Sequence, residues 1–379
     1  MEKYGLVLAG GGTKGSYQAG ALIALKEMGI KIGAVSGASI GSLNAALFVQ
    51  GDTMLLRELY RNIEMHDILK LSDKNELKND DKLLSRGNVK SIVKEYIDNK
   101  GISNEPLKNL LKKYVNVNKI YRSKINFGIM TYDVENKNGL EVFKKDIPKD
   151  KLIDYLLASS CFPVFKAQKI GDKEFLDGGL YDNIPVNMLL KKGYKKIIVI
   201  DVAGIGLVKR NLDKDAYIKV IKPKEDLGSI FEFDKELINR NIYYGYYDTL
   251  KAFNKLLGKR FYFKPNEYFK LLKKYGVSNV LNLEEAGLIY KLNKFKIWNG
   301  EEFIREVLTN YRREKKEYEK VKTDKLSLTN IKNILNKGLG VSLCMDINDN
   351  YPTILNTYGG LFSKYIKVSK TIDEIISNK

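Results

Sequence analysis

Residues 31–49 read KIGAVSGASIGSLNAALFV and contain the feature on which the fold prediction rests. The apolar first six residues predict a buried strand, and the last eight predict a helix. Between them, Ser39 stands between Gly37 and Gly41 in the pattern of a nucleophile elbow, in which a serine hydroxyl is exposed on a strand–turn–helix. Glycines flank such a serine because the turn leaves no room for side chains beside it. Ser39 is therefore a candidate nucleophile.

The chain contains a single histidine, His66. A serine hydrolase ordinarily uses a histidine base that a carboxylate orients. In α/β-hydrolases this histidine follows the acid, near the C-terminus of the fold. Because no histidine follows residue 66, the sequence disfavours that fold, and we expect His66 to lie on the surface. Ser39 must then rely on another base.

The 379 residues divide by pattern into two parts, 1–210 and 211–379. In the first part apolar strands alternate with helices, which predicts a layered α/β domain. In the second part Tyr, Leu and Lys recur at helical spacing and predict a mostly helical extension. The helices predicted there are 234–258, 264–275, 282–293, 299–322 and 328–337. A further helix is predicted in the first part at 89–99.

The formal charge of +19 is spread along the chain rather than gathered in a tail. A global positive field favours anionic partners. No nucleic-acid-binding motif accompanies it, so we expect no nucleic acid partner and favour an anionic membrane surface. The basic, Tyr-rich segments 240–275 and 311–322 are candidates for that contact, although a solvated helix face explains them better.

No signal segment and no run long enough to span a membrane is evident, which predicts a cytoplasmic soluble protein. The positive charge allows a peripheral contact with the membrane. The two cysteines, Cys161 and Cys344, form no CxxC pair and no ligand cluster. This spacing argues against a disulfide framework and a zinc site. We expect Cys161 to be a small core residue. Nothing in the pattern specifies an oligomeric state.

A glycine loop, Gly10-Gly11-Gly12-Thr13-Lys14-Gly15, follows the first predicted strand. As a Walker A loop it fails, because the lysine precedes the last glycine instead of following it. As a dinucleotide fingerprint its glycines match, but the expected acid is missing at the end of the second strand. As an oxyanion hole, its backbone N–H groups would stabilise an anion, each by roughly 3–4 kcal/mol. If the first two strands are neighbours, this loop faces Ser39.

Asp177, followed by Gly178 and Gly179 at a predicted strand end, is the candidate base. A carboxylate within hydrogen-bond reach of a serine hydroxyl can accept its proton directly when shielding raises the carboxyl pKa. Taken alone, Asp-Gly is more often a tight turn. Asp182 is a second candidate, although Asp182 and Asn183 are more typical of the turn that follows.

Together and in this order, the glycine loop, the elbow and the Asp-Gly-Gly motif resemble the patatin-like phospholipase family. The resemblance covers roughly residues 4–205. It includes the Ala-Ser-Ser-Cys-Phe-Pro segment at 158–163 and the Asp-Asn-Ile-Pro segment at 182–185. The chain departs from the family pattern at Cys161, where a smaller residue is commoner.

The resemblance implies a three-layer α/β sandwich with a central, mainly parallel sheet. It implies Ser39 as nucleophile, Asp177 as base and an oxyanion hole in the glycine loop, built by the amides of Gly11 and Gly12. Lys14 stands where the family carries Arg or Lys. The implied reaction is hydrolysis of phospholipid or other lipid esters through an acyl-enzyme, of phospholipase A or lysophospholipase type, without metal or cofactor. A nucleotide-binding protein and a non-catalytic lipid-binding protein remain as alternatives.

Overall fold

The computed structural model describes residues 3–69, 101–322, 327–350 and 352–377. By their contacts the residues form two compact units, Met1–Ala252 and Phe253–Lys379. The boundary expected from the sequence, after residue 210, differs from this division because strand Tyr217–Ile221 joins the sheet of the first unit. The helix predicted at 89–99 lies outside the described residues.

The first unit is built on a mixed sheet in which eight strands are described. These are β1 (Tyr4–Leu8), β2 (Ile32–Ala38), β3 (Asn126–Asp133), β4 (Asn138–Phe143), β5 (Gln168–Ile170), β6 (Lys173–Asp177), β7 (Lys196–Ile200) and β8 (Tyr217–Ile221). The order is β5-β6-β3-β2-β1-β7-β8, and β4 also pairs with β3. β3, β2, β1, β7 and β8 pair in parallel, whereas β4, β5 and β6 pair antiparallel. The predicted mainly parallel sheet is confirmed.

Helices flank this sheet. They are α1 (Gly15–Glu27), α2 (Ile40–Val49), α3 (Thr53–Asn62), α4 (Glu105–Tyr114), α5 (Val117–Arg122), α6 (Leu152–Ser159), α7 (Val186–Leu190) and α8 (Lys235–Ala252). On one face, Met188 of α7 packs in a core cluster with Val7 and Ala34. The alternate residues Leu6 and Val35 project to the opposite face and are fully buried. The predicted layered α/β class is confirmed.

The strands β2 and β6 end against each other along β3. Ala38, the last residue of β2, pairs with Met130, and Asp177, the last residue of β6, pairs with the next residue of β3, Thr131. Since β2 runs parallel to β3 and β6 runs antiparallel, the two strands approach from opposite directions, and their C-terminal ends meet. β1 pairs in parallel with β2, so the loop after Leu8 reaches the same place.

The second unit is mostly helical, as the sequence predicts. Its helices are α9 (Pro265–Ile289), α10 (Gly300–Val321), α11 (Leu328–Asn336), α12 (Gly340–Asn350) and α13 (Pro352–Ser377), beside the short strands β9 (Tyr262–Phe263) and β10 (Ile297–Trp298). The helices predicted at 264–275 and 282–293 both fall mainly within α9, which is interrupted at Gly276 (φ 75°, ψ 163°). The core includes the tilted ring pair of Phe261 and Phe303. Among the described helices, none combines the length and apolar character needed to cross a bilayer.

Candidate active site

Ser39 occupies the turn between β2 and α2 in a strained backbone conformation, φ 53° and ψ −132°. A non-glycine residue held in such a region costs about 1–3 kcal/mol, which tertiary packing must offset. The packing leaves no room beside the serine. A Cβ on Gly37 would lie 2.5 Å from the carbonyl of Gly41, and a Cβ on Gly41 would lie 2.1 Å from the carbonyl oxygen of Leu8. Both glycines are therefore required by close backbone contact.

Ser159, at the end of α6, connects the elbow to β3 by two hydrogen bonds. Its hydroxyl accepts a hydrogen bond from the Ser39 backbone N–H at 3.1 Å and donates to the Met130 carbonyl at 2.7 Å. The Ser39 amide is thus engaged within the protein and is unavailable to an oxyanion. The sequence places Ser159 in a family segment without giving it a role, because its partners lie on distant elements.

Ser159→Ala should lower the free energy of unfolding by about 1–3 kcal/mol, because the mutation leaves the partly buried Ser39 N–H without its acceptor. Urea denaturation measures this change. The matched control is Ser160→Ala: Ser160 is also buried, but its hydroxyl donates only to carbonyls of its own helix, at 2.9 and 3.3 Å. An equal loss of stability in both variants would contradict a specific role for the hydrogen bond between the Ser39 N–H and the Ser159 hydroxyl.

Asp177 lies beside the Ser39 hydroxyl. Ser39 Oγ donates to Asp177 Oδ2 at 2.6 Å, and the Gly179 N–H donates to Asp177 Oδ1 at 2.7 Å. The carboxylate is thus fixed through both oxygens, and its side chain is buried. Burial raises the pKa of Asp177 to about 6, against the opposing effect of the hydrogen bonds from Ser39 and Gly179. The result is a carboxylate that is ionised at neutral pH and more basic than an exposed one.

The glycine loop presents two unoccupied backbone donors. Within the described part of the chain, the N–H groups of Gly11 and Gly12 donate to no acceptor. Gly12 adopts φ +57°, and a Cβ there would lie 1.9 Å from the Ile230 carbonyl oxygen, so only glycine fits. Two adjacent amides of this kind are the donor arrangement that an oxyanion needs.

The other four residues of the predicted oxyanion hole use their amides elsewhere. Gly10 N–H donates to the Asn183 carbonyl at 3.1 Å and Thr13 N–H to the Ile230 carbonyl at 2.9 Å. Lys14 N–H donates to Gly11, and Gly15 N–H to carbonyls within the loop. These residues shape the loop, and the sequence alone could not separate them from the two with unoccupied N–H groups.

Asn183 fastens the glycine loop to the segment after Asp177. Its side-chain amide donates to the Gly10 carbonyl at 3.2 Å, complementing the bond from Gly10 N–H. A Cβ on Gly10 would lie 3.0 Å from the Ser39 Cβ, which shows how closely loop and nucleophile approach. Asn183 thus ties the glycine loop to the Asp-Gly-Gly segment, a role that the sequence interpretation of a simple turn missed.

An apolar cavity opens at this constellation. Ser39, Asp177, Gly11 and Gly12 lie in its wall. The apolar part of the lining is Ile40, Leu43, Ile63, Ile68, Leu107, Phe162, Phe165, Ile205, Ile230, Phe231 and Phe233. A second cavity, with an almost wholly apolar lining, shares several of these residues. Such a lining accepts an apolar group beside the serine hydroxyl.

The side chains of the remaining sequence candidates have other partners or lie on the surface. Asp182 accepts the Ile184 and Lys209 backbone N–H groups at 3.3 Å each, and burial raises its pKa to about 6. His66 is exposed, as predicted, with Nδ1 3.4 Å from a Glu64 carboxylate oxygen. Cys161 is buried, as predicted. Among the described residues, no group of three or more His, Cys, Asp or Glu side chains could hold a metal.

Comparison with known sequences gives a family match. Residues 6–190 match the family model described as patatin-like phospholipase. The chain is 25% identical over 211 residues to lysophospholipase NTE1 of Candida albicans, and 28% identical over 210 residues to lysophospholipase NTE1 of Debaryomyces hansenii. Each match covers 54% of this chain, which spans 13% and 12% of the length of those relatives.

Comparison with solved structures gives more distant similarities. VipD from Legionella pneumophila aligns over 98% of this chain and 88% of its own, with 15% identity and a TM-score of 0.45. ExoU from Pseudomonas aeruginosa, in its complex with SpcU, aligns over 92% of this chain and 72% of its own, with 15% identity and a TM-score of 0.30.

The matched range runs through the glycine loop, the elbow and the Asp-Gly-Gly motif, so it contains every residue that meets at the cavity from these three motifs. The resemblance predicted from their order is confirmed. Through residues 6–190, the chain belongs to the patatin-like phospholipase family.

Proposed function

We propose that this chain hydrolyses carboxylic esters of lipids as a phospholipase A or lysophospholipase, using Ser39 as nucleophile and Asp177 as base. The observation that carries the proposal is the 2.6 Å hydrogen bond from Ser39 Oγ to a buried carboxylate whose pKa is raised to about 6. No histidine is needed in such a dyad. The family and the lysophospholipase relatives support the substrate class.

In the acylation step, Ser39 Oγ attacks the ester carbonyl carbon while its proton passes to Asp177 Oδ2. The carbonyl oxygen becomes an oxyanion that accepts hydrogen bonds from the N–H groups of Gly11 and Gly12. The tetrahedral intermediate then collapses, the bond to the alcohol oxygen breaks, and Asp177 returns the proton to that oxygen. The products of this step are a free alcohol and an acyl-enzyme on Ser39.

In the deacylation step, water takes the place of the alcohol. Asp177 accepts a proton from the water as its oxygen attacks the acyl carbon, and the same two amides hold the oxyanion. Collapse breaks the bond to Ser39 Oγ, which recovers its proton from Asp177, and the fatty acid leaves. The apolar cavity supports a fatty acyl group as the part of the substrate held beside the serine.

A nucleotide fits the glycine loop less well than an oxyanion does. A pyrophosphate bound at a helix N-terminus uses several backbone N–H groups. Here the amides of Gly10, Thr13, Lys14 and Gly15 are already engaged within the protein. The remaining pair, Gly11 and Gly12, is suited to a single oxygen.

The substrate class is tested by measuring fatty acid release from diacyl phosphatidylcholine, lysophosphatidylcholine and a neutral triglyceride. We expect release from at least one of the two phospholipids. Release from the diacyl lipid indicates a phospholipase A, and release from lysophosphatidylcholine alone indicates a lysophospholipase. Vesicle binding without any fatty acid release would favour a non-catalytic lipid-binding protein. Release from the triglyceride alone would contradict the phospholipid assignment.

The value of kcat/KM for fatty acid release should rise with pH and level off above about pH 6, following ionisation of Asp177. The protonated acid cannot accept the serine proton, so activity falls as pH drops below this value. A pH–rate profile measures the effect, and His66→Gln is the control, since an exposed histidine outside the site should leave the profile unchanged. If the rise of kcat/KM with pH disappeared in His66→Gln, the histidine-free dyad would be refuted.

A further inference from the structure

The segment 203–212, between β7 and β8, exposes an unusual set of apolar side chains. The exposed fractions are 72% for Ile205, 61% for Leu207, 60% for Val208 and 67% for Leu212. Ile205 is the most exposed large apolar side chain among the described residues. A cluster of this kind next to polar residues marks a surface that contacts an apolar partner.

The backbone that carries these exposed side chains is fixed by hydrogen bonds to the rest of the first unit. The Leu207 N–H donates to the Gly179 carbonyl at 2.9 Å, and the Leu207 carbonyl accepts the Asn183 N–H at 2.6 Å. Further along, Asn187 of α7 donates to the Arg210 carbonyl at 3.0 Å and accepts the Leu212 N–H at 2.9 Å. The protein therefore holds these apolar side chains out in solvent by specific bonds, instead of leaving them in a loose loop.

The segment also borders the candidate active site. Ile205 lines the same cavity as Ser39 and Asp177 while remaining largely exposed, so it lies at the mouth. A Cβ on Gly204 would lie 2.0 Å from the Gly10 carbonyl oxygen, which shows that the segment packs directly on the glycine loop. Whatever docks on this segment is brought to the opening of the cavity.

Two cations accompany the apolar side chains. Lys209 and Arg210 are exposed, and neither lies within ion-pair distance of a carboxylate in the described part of the chain. Lys209 Nζ lies 3.8 Å from the centroid of the Tyr181 ring, which keeps its charge at this surface. Basic residues beside apolar ones match the boundary between anionic head groups and acyl chains.

We propose that the segment 203–212 is the surface by which this chain docks on an anionic lipid bilayer. Leu207, Val208 and Leu212 enter the head-group boundary, while Lys209 and Arg210 pair with lipid phosphates. The inference rests on the proposed function, because docking here would set the mouth of the cavity against the bilayer from which a lipid ester enters. It places the contact outside the segments 240–275 and 311–322, for which the sequence favours a solvated helix face.

The test measures binding of Ser39→Ala protein to vesicles of phosphatidylcholine mixed with phosphatidylserine, so that catalysis plays no part. Adding Leu207→Ser and Val208→Ser should weaken binding at least about tenfold, since each substitution removes an apolar side chain that the bilayer buries. The matched control adds Phe269→Ser and Val277→Ser on α9, whose side chains are 61% and 64% exposed. The proposal would be overturned if both pairs of substitutions weakened vesicle binding equally. It would also be overturned if Leu207→Ser with Val208→Ser did not weaken binding.

Charge is tested separately. Lys209→Gln with Arg210→Gln should weaken binding to the mixed vesicles by roughly fivefold per charge, and added salt should remove most of this difference. On phosphatidylcholine alone the double variant should bind as its parent does. Weakening of the same size on both vesicles would overturn the electrostatic part of the proposal.

Hydrolysis of a water-soluble short-chain ester separates this inference from the proposed function. With Ser39 restored, Leu207→Ser/Val208→Ser should keep full activity on the soluble ester and lose activity on vesicles. Loss on the soluble ester as well would mean that the segment supports the site instead of docking. If the wild type binds vesicles through the segment but hydrolyses neither substrate, the proposed function fails while the docking surface stands.

Discussion

Ser39→Ala should lower the rate of fatty acid release by at least about 10⁴-fold and abolish covalent labelling by a fluorophosphonate probe. The reason is that the Ser39 hydroxyl donates to the buried Asp177 carboxylate and lines the same cavity as Gly11 and Gly12, whose amides have no acceptor within the described residues. No other group in the proposed mechanism can form the acyl-enzyme. Labelling followed by gel fluorescence, beside an esterase assay, measures both effects.

Ser160→Ala is the matched control for this experiment. Ser160 also lines the cavity, but its hydroxyl donates to carbonyls of its own helix and has no carboxylate partner. Labelling should therefore persist in Ser160→Ala. Full-strength labelling of Ser39→Ala would show that Ser39 is not the nucleophile. Loss of labelling in Ser160→Ala alone would show the same.

Asp177→Asn should lower kcat/KM by about 10²–10⁴-fold, the range that a general base contributes. Asparagine keeps the size of the side chain and an oxygen for the Gly179 N–H, which donates to Asp177 Oδ1 at 2.7 Å. It cannot accept the Ser39 proton. The loss is therefore one of proton transfer, and fluorophosphonate labelling should slow together with ester hydrolysis.

The same substitution should make the protein more stable at neutral pH, by up to about 3 kcal/mol. The pKa of Asp177 is raised from an ordinary 3.8 to about 6 by burial, so the folded state binds its proton more tightly than the unfolded state does. Stability is consequently lost as pH rises from about 4 to 6, and the loss persists above pH 6. Asparagine carries no such penalty. Urea unfolding of both proteins at pH 4 and pH 8 should show the gain only at the higher pH.

Asp182→Asn is the control for both effects of Asp177→Asn. Asp182 is also buried, and its pKa is likewise raised to about 6, but its carboxylate accepts backbone N–H groups instead of the serine hydroxyl. We expect a similar sign for its effect on stability and no large loss of activity. A loss of activity equal to that of Asp177→Asn would show that the base had been assigned to the wrong aspartate.

Together these outcomes would describe a site in which catalysis and stability are opposed at one residue. The buried carboxylate at Asp177 is unfavourable for the folded state at neutral pH, and the same burial makes it a stronger base. The strained backbone of Ser39 also lowers stability, because φ 53° is costly for a serine. In this conformation its hydroxyl donates to Asp177. Residues that carry no chemistry, such as Ser159 and Asn183, hold this arrangement in place.

Much of the fold is predictable from local pattern. Strand–helix alternation indicates the α/β sheet, and helical spacing indicates the second part of the chain. The expected boundary after residue 210 differs from the division at Ala252 because Tyr217–Ile221 is short, half exposed and completed only by pairing with β7. Such a strand has little periodicity of its own, and its neighbour decides its structure.

The sequence predicts the three motifs of the candidate site, but it does not predict which backbone N–H groups of the glycine loop remain available to an oxyanion. Glycines that permit a tight turn mark the elbow and the loop, and Asp-Gly-Gly marks the carboxylate. Which amides remain available depends on acceptors far along the chain: Ile230 engages Thr13, and Asn183 engages Gly10. For the same reason the exposed segment 203–212 has no signal in the sequence, where its apolar residues are indistinguishable from core residues.

The sequence by itself determined the local requirements: where a serine must stand between glycines, where a carboxylate ends a strand, and where helices form. These follow from steric limits and periodicity within a few residues. Only the tertiary structure decided that Ser39 and Asp177, which lie 138 positions apart, share a hydrogen bond. The physical reason is strand pairing: β2 and β6 approach from opposite directions along β3, and their ends meet where Met130 and Thr131 adjoin.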